Sequence, residues 1–231
     1  MKFYLFLILF LASFNINSSA QIVGRLDSLE KSLINPFEPD EKIDAILFEF
    51  SNSVFLGKAL SFNQEKFLSR GFTFGYQKDI RIVTHQLSFA PGLLLSIHNF
   101  KNDLAYSTSK NSNNFNNKLL DSVDYQINKL RIMYLEVPLE FRYRTKPNLT
   151  NRSFKVFAGL KIGYLLAANH IFKTENFKEN TEIKELNKFR LGPSLKIGYG
   201  NILFSTFYSL SQITENKKLN TFTAGIAFFI L

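Results

Sequence analysis

The sequence predicts an all-β fold, an eight-stranded antiparallel up-and-down transmembrane β-barrel. Three observations predict it. The last segment is apolar and uncharged, apolar and polar residues alternate with period two through most of the chain, and the connections are long and short by turns. Successive side chains of a strand point to opposite faces, so a sheet with one apolar and one charged face needs two unlike surroundings. A membrane barrel supplies both, lipid outside and a polar lumen inside.

The final segment, Asn220 to Leu231, reads NTFTAGIAFFIL. Phe222, Ala224, Ile226, Phe228 and Ile230 share one face, and Thr221, Thr223, Gly225 and Ala227 share the other. With no charge to solubilise it, this strand suits lipid.

At the opposite terminus, residues 1–20 read as a signal peptide. Lys2 is the only charge, Phe3 to Phe14 is apolar apart from Ser13, and Ser18-Ser19-Ala20 supplies the small residues of a cleavage site. The apolar run of about a dozen residues is short of the ~20 that span a bilayer. Gln21 is the expected first residue after cleavage, and the lack of cysteine there argues against a lipoprotein anchor. The chain has no cysteine at all, which removes disulfides, thiol nucleophiles and Cys-ligated metals together. Residues 21–43 form a polar, Pro-containing periplasmic lead-in, in which Leu26, Leu29 and Leu33 allow a short amphipathic helical turn. Residues 44–231 are the barrel, a length suited to one domain.

The chain carries 26 Phe and 9 Tyr but no Trp, and a net charge of +9. In an exported protein the matching anions are lipid phosphates or its own carboxylates. The basic residues are dispersed along strands, a pattern that argues against nucleic acid.

After Gln21 no apolar run reaches the length of a spanning helix. Eight strands are expected, at Asp44–Leu56, Phe67–Ile80, Thr84–Phe100, Leu130–Thr145, Arg152–Asn169, Lys188–Gly200, Asn201–Ile213 and Leu219–Leu231. The fourth is clearest. Met133, Leu135, Val137, Leu139, Phe141 and Tyr143 make one face, and Tyr134, Glu136, Pro138, Glu140, Arg142 and Arg144 the other. The fifth sets Phe154, Val156, Ala158, Leu160, Ile162 and Tyr164 against Lys155, Phe157, Gly159, Lys161 and Gly163. The sixth sets Phe189, Leu191, Leu195, Ile197 and Tyr199 against Arg190, Gly192, Ser194, Lys196 and Gly198. The apolar set is too large and too aromatic to fill a small interior, so it is assigned outward.

The connections test this independently. Long ones are expected at Gly57–Lys66, Lys101–Lys129, His170–Asn187 and Thr214–Lys218, and short ones at Arg81–Val83, Lys146–Asn151 and Gly200-Asn201. Outer-membrane barrels alternate in this way, with short turns in the periplasm and long loops outside. A soluble sandwich has no reason to do so. The Asn- and Ser-rich segment Lys101 to Asn128 is the longest and is expected to be mobile.

Eight strands enclose a space just wide enough for side chains. The inward candidates are Glu49, Gln77, Glu136, Glu140, Arg142, Lys155, Lys161, Arg190 and Lys196. Buried charges must pair, so Glu49, Glu136, Glu140, Arg142, Lys155, Lys161, Arg190 and Lys196 are expected to form a structural ladder plugging the lumen. A binding pocket or narrow polar channel near the outer mouth is the alternative. No catalytic, cofactor-binding or metal-binding residues are expected. The three histidines, His85, His98 and His170, lie far apart in the strand plan. Ser96 and His98 share a face, but no acid is placed to orient the imidazole for hydrolysis. There is no phosphate loop, no His pair at metal-ligand spacing and no Ca²⁺ loop.

Four stretches carry a resemblance. They are Phe67-Leu-Ser-Arg-Gly-Phe-Thr-Phe-Gly-Tyr76 with Lys78-Asp79-Ile80, Leu87-Ser-Phe-Ala-Pro-Gly-Leu93, Tyr134-Leu-Glu-Val-Pro-Leu-Glu-Phe-Arg-Tyr143 and Phe157-Ala-Gly-Leu-Lys-Ile-Gly-Tyr164. On these the chain resembles the PorT-like outer-membrane β-barrel proteins of Bacteroidetes, over most of residues 44–231. The resemblance implies an eight-stranded outer-membrane barrel with no transferable catalytic residues, and a link to type IX secretion and gliding. The chain departs in its end: such barrels often finish on an aromatic residue read by the assembly machinery, whereas this one ends Ile230-Leu231, with Phe228 and Phe229 close by.

The expected protein is a non-enzymatic, monomeric barrel in the cell outer membrane, without cofactors. Its expected partners are outer-membrane lipid, the barrel-assembly machinery and a secretion-system or envelope protein met through external loops or lead-in. A narrow pore or small-ligand carrier, and a soluble lipocalin-like protein of opposite sheet polarity, are the rivals. Recovery in the outer-membrane fraction with a gel-mobility shift on boiling is expected. Recovery as a soluble periplasmic protein without a shift points to the lipocalin-like rival.

Overall fold

A strand with lipid on one side and charges on the other must pair both of its edges, because lipid offers backbone groups no partner. The computed structural model meets this demand by closing the sheet. It describes residues 45–57, 69–82, 86–101, 104–107, 116–119, 126–150, 152–183, 186–214 and 219–230. The expected leader and lead-in lie outside the described residues, as does His85.

In chain order the strands are β1 (Ala45–Leu56), β2 (Arg70–Gln77), β3 (Ile80–Arg81), β4 (Leu87–Lys101), β5 (Leu104–Ser107), β6 (Asn116–Leu119), β7 (Ile127–Arg144), β8 (Phe154–Lys173), β9 (Lys178–Glu182), β10 (Phe189–Tyr199), β11 (Ile202–Tyr208) and β12 (Asn220–Ile230). Strands β10, β11, β12, β1, β2, β4, β7 and β8 follow one another around the sheet, and β8 pairs again with β10. The result is a closed antiparallel barrel of eight strands, with the short β3 continuing the line of β2 along β4. First and last barrel strands meet along their length, from Ile46 opposite Ile230 to Leu56 opposite Asn220.

The alternation orients every strand. On β7, Phe141 is 57 % exposed while its neighbour Arg142 is 1 % exposed. Phe50, Leu160, Ile162, Phe189, Ile202, Phe204, Ile226 and Ile230 also face outward. The apolar face therefore lies outside, as the strand pattern predicts, and the charged face lines the lumen. Both barrel termini and the short turns share one end. There the tight β10–β11 connection passes through Gly200, whose φ of 63° is a left-handed conformation that glycine adopts without steric cost.

Three differences from the sequence reading concern the other end. Within the segment expected as a mobile loop, β5 and β6 pair as a separate hairpin, from Leu104 opposite Leu119 to Ser107 opposite Asn116. These four-residue strands are too short to register as a periodic run. Second, β7 and β8 continue beyond the expected boundaries, from Ile127 opposite Lys173. Part of the expected third long connection is β9, which pairs with residues 169–173 of β8. Third, β11 stops at Tyr208 rather than Ile213.

A β-bulge explains why β8 reads differently along its length. Tyr134 pairs with Leu165 and Met133 with Ala167, so Leu166 is an extra residue. Below the bulge odd-numbered residues such as Lys155, Phe157 and Lys161 are buried, and above it Ala168 and His170 are. One inserted residue thus exchanges the two faces.

Placing a charge on the lipid face at mid-strand tests this orientation. Leu139→Arg and Ile162→Arg should each cost about 2–4 kcal/mol near the membrane midplane, read from urea titration of the barrel in lipid vesicles. Unchanged stability at both sites would reverse the assignment of faces.

Candidate functional site: the charged lumen

Pairing register decides which inward side chains meet. Strands β4, β7, β8 and β10 lie side by side, which brings Ser96, Glu136, Lys161 and Arg190 to one level. Glu136 on β7 is fully buried and accepts from the Arg190 guanidinium and the Ser96 hydroxyl, with Lys161 Nζ 3.4 Å away. Thr73 on β2 donates to Ser96 at 3.0 Å. Arg190 also lies over two rings, 4.0 Å from the centroid of Tyr134 and 4.9 Å from that of Phe207. A planar guanidinium can stack and donate at once, which an ammonium cannot do.

Gly163, next to Arg190 on the neighbouring strand, makes room for it. A Cβ there would stand 2.8 Å from Arg190 Cγ and 3.2 Å from its Nε.

Nearer the terminal end lies a second group. Glu140 pairs with Lys196 and, at 3.3 Å, with Arg142. Arg142 reaches on to Asp79 at 3.6 Å and lies 4.7 Å above the Phe157 ring. Asp79 also pairs with Arg144, which donates to Ser88 at 3.1 Å. Unpaired charges here would each cost several kcal/mol. Alternating their signs from Arg144 through Asp79, Arg142 and Glu140 to Lys196 offsets that cost.

Apolar side chains interleave with the charges and cap them on one side. At the level of the second group, Ala45, Leu47, Leu94, Phe157, Leu203, Ala227 and Phe229 form one cluster. Towards the other end, Phe100, Leu130, Ile132, Tyr134, Ala168, Ile183, Leu186 and Ile213 form the second, with Phe55 stacked on Phe100 at 4.1 Å. Ile183, Leu186 and Ile213 belong to connections rather than barrel strands, so the loops fold part of this layer over the mouth.

Of the residues expected inside, Glu136, Lys161 and Arg190 meet in the first group, and Glu140, Arg142 and Lys196 in the second. Glu49 is buried and interacts with Lys161 through its charge. Gln77 is buried beside Ala45, and Lys155 is buried opposite Arg144. The sequence reading did not place Asp79 inside, although it has the same parity as Gln77 and its side chain is fully buried. Nor did it place His98, Tyr134 and Phe207 against Arg190. No single-strand pattern carries that information, because the contact depends on register between strands.

The Ser/His pair resolves into separate partnerships. His98 Nδ1 lies 2.8 Å from Ser53 Oγ, and its Nε2 lies 3.0 Å from Arg190 Nη2. Arg190 can only donate, so Nε2 is the acceptor and the ring proton sits on Nδ1, donating to Ser53. A base for Ser53 needs a free lone pair on Nδ1, which this tautomer lacks. Ser96 donates to Glu136 instead. His170, beside Asn128 at 2.6 Å, is remote from both. Among the described residues no cluster of His, Cys, Asp or Glu has metal-binding geometry.

A family model described as outer membrane protein beta-barrel domain matches residues 45–228. No curated protein matches the chain. Similar solved structures include two of Ail, the attachment invasion locus protein of Yersinia pestis, one of them in complex with the heparin analogue sucrose octasulfate. Both are 14% identical to this chain and cover 81% of it and 97% of themselves, with TM-scores of 0.37 and 0.33.

Removing one member of the lumen network separates its parts. Glu136→Leu leaves Arg190 and Lys161 buried without their carboxylate and should lower stability by about 3–5 kcal/mol. Ser96→Ala, which removes one donor, should cost about 1–3 kcal/mol. Urea unfolding in vesicles checks both, and equal costs would mean that Glu136 does not organise the network.

Proposed function

Since the chain belongs to the outer membrane protein beta-barrel domain family, we propose that it is a non-enzymatic, monomeric barrel with a closed lumen. It acts by interaction, through the connections at its loop end or the segment ahead of β1. The short turns face the periplasm and the long connections face outward, following the general rule for such barrels.

The observation that carries this reading is the filling of the lumen. Arg142, Lys196, Glu136, Glu140 and Gln77 are fully buried inside it, and so are Phe100, Phe207, Leu130 and Ile132. Paired charges block the middle and apolar side chains block the outer mouth, which opposes conduction. The bonding of His98, Ser53 and Ser96 supports a structural role for these groups rather than acyl transfer.

Membership of the PorT-like proteins is the finer form of this proposal, carried by the resemblance of the four stretches on β2, β4, β7 and β8. In that form an envelope or secretion-system protein is the partner. A strain lacking the chain should then retain cargo that its parent secretes, and unchanged secretion would confine the chain to another envelope role. Outer-membrane lipid surrounds the barrel, the signal peptide exports it and the assembly machinery inserts it.

Conductance tests the closed lumen. The purified barrel in planar bilayers should be silent across a range of salts, and steady unitary conductance would replace this reading with that of a narrow pore.

A further inference from the structure

Charged residues are almost absent from the outward faces of the barrel strands. None faces outward on β1, β10, β11 or β12. On β2, β4, β7 and β8 outward charges occur together at the loop end, and all are cations: Arg70, Lys101, Lys129, Arg131 and Lys173. They come from four separate parts of the sequence, and pairing register gathers them. Lys101 stands directly opposite Lys129, and Asn99 opposite Arg131. Asn99 holds this corner, accepting from Arg131 Nε at 3.1 Å and donating to the Arg70 carbonyl at 3.3 Å.

Two features point to a ligand. Like charges on directly opposed positions repel, and Lys129 has both Arg131 and Lys101 as charged neighbours. Among the described residues neither Arg131 nor Lys129 is in an ion pair. Glu182 on β9, opposite Asn169, is the carboxylate at this level, two strands away from Arg131. The second feature is depth. One side-chain step towards the barrel middle lie Phe72, Ile97 and Met133, paired in a row on the same three strands. The cations thus stand where an apolar surface gives way to a polar one.

We propose that Arg70, Lys129 and Arg131, with Lys101 beside them, dock the phosphate groups of an outer-leaflet lipid whose acyl chains lie along Phe72, Ile97 and Met133. Arg131 suits phosphate because Asn99 engages its Nε and leaves the two terminal nitrogens to face an anion. Juxtamembrane cations bind anionic headgroups through additive charge attraction. This inference rests on the outward orientation of the loop end proposed above.

Native mass spectrometry of the full barrel, folded in a neutral detergent, tests it. The probes are diphosphorylated lipid A and the same lipid with its phosphates removed, with inorganic phosphate as competitor. The phosphorylated lipid should be retained preferentially, and K129Q/R131Q should weaken its retention by about thirtyfold. Both side chains point out of the barrel, and a boiling shift on a gel verifies that the variant has folded. Equal retention of the dephosphorylated lipid, or parent-like retention by the folded variant, overturns the proposal. So does displacement by inorganic phosphate at the lipid's own concentration, which would mark a site for the free anion. A boiling shift without phosphate preference removes this surface alone. Lack of any shift in the parent removes the barrel reading and this surface with it.

Discussion

Lipid cannot hydrogen-bond to a peptide group, so a sheet that crosses it must have no free edge within it. The pairing of β1 with β12 and of β8 with β10 meets that constraint, and the remaining features follow. Closure with eight strands leaves a lumen only as wide as its side chains. Strand alternation then divides every residue between lipid and this narrow interior. Whatever polar group points inward must find its partner there, since neither bulk water nor lipid can serve it.

The lumen meets most of that demand with two chemistries, although Glu49 Oε2, Arg190 Nε and Ser194 Oγ have no hydrogen-bond partner among the described residues. Carboxylates on β7 sit between cations on β8 and β10, which turns several costly buried charges into a connected network. Aromatic rings take the rest of the load: Tyr134 and Phe207 lie against Arg190, and Phe157 and Phe229 against Arg142. An apolar layer lies over the network at the loop end, and a second apolar cluster interleaves with it. The outcome is a barrel whose interior is filled by its own side chains.

The two ends differ in consequence. At the terminal end, tight connections such as Gly200-Asn201 finish the strands abruptly. At the other, β7 and β8 run on, β9 joins them, and the outward face changes from apolar to cationic within one side-chain step. The change of surface chemistry is therefore concentrated where the strands leave the apolar band.

By itself the sequence determined the barrel, the order and approximate places of its eight strands and, outside the bulged end of β8, the sorting of their faces, because period-two alternation is a local property of each strand. Met133 to Tyr143 declares its polarity without reference to any neighbour. It also determined that Glu136, Glu140, Arg142 and Lys161 turn inward. What only the tertiary structure decided is who meets whom. The partnership of Arg190 with Glu136, His98 and Tyr134 depends on the register of β10 against β8 and of β8 against β7. The Leu166 bulge shifts the β7–β8 register by one residue only beyond Tyr134 and Leu165, on the loop side of that contact. Asp79 was within reach of parity alone, but β5, β6 and β9 were not, being too short for periodicity to exceed chance. The cationic patch has the same origin as the lumen network. Arg70, Lys101 and Arg131 are far apart along the chain, and pairing, a relation between strands, makes them neighbours.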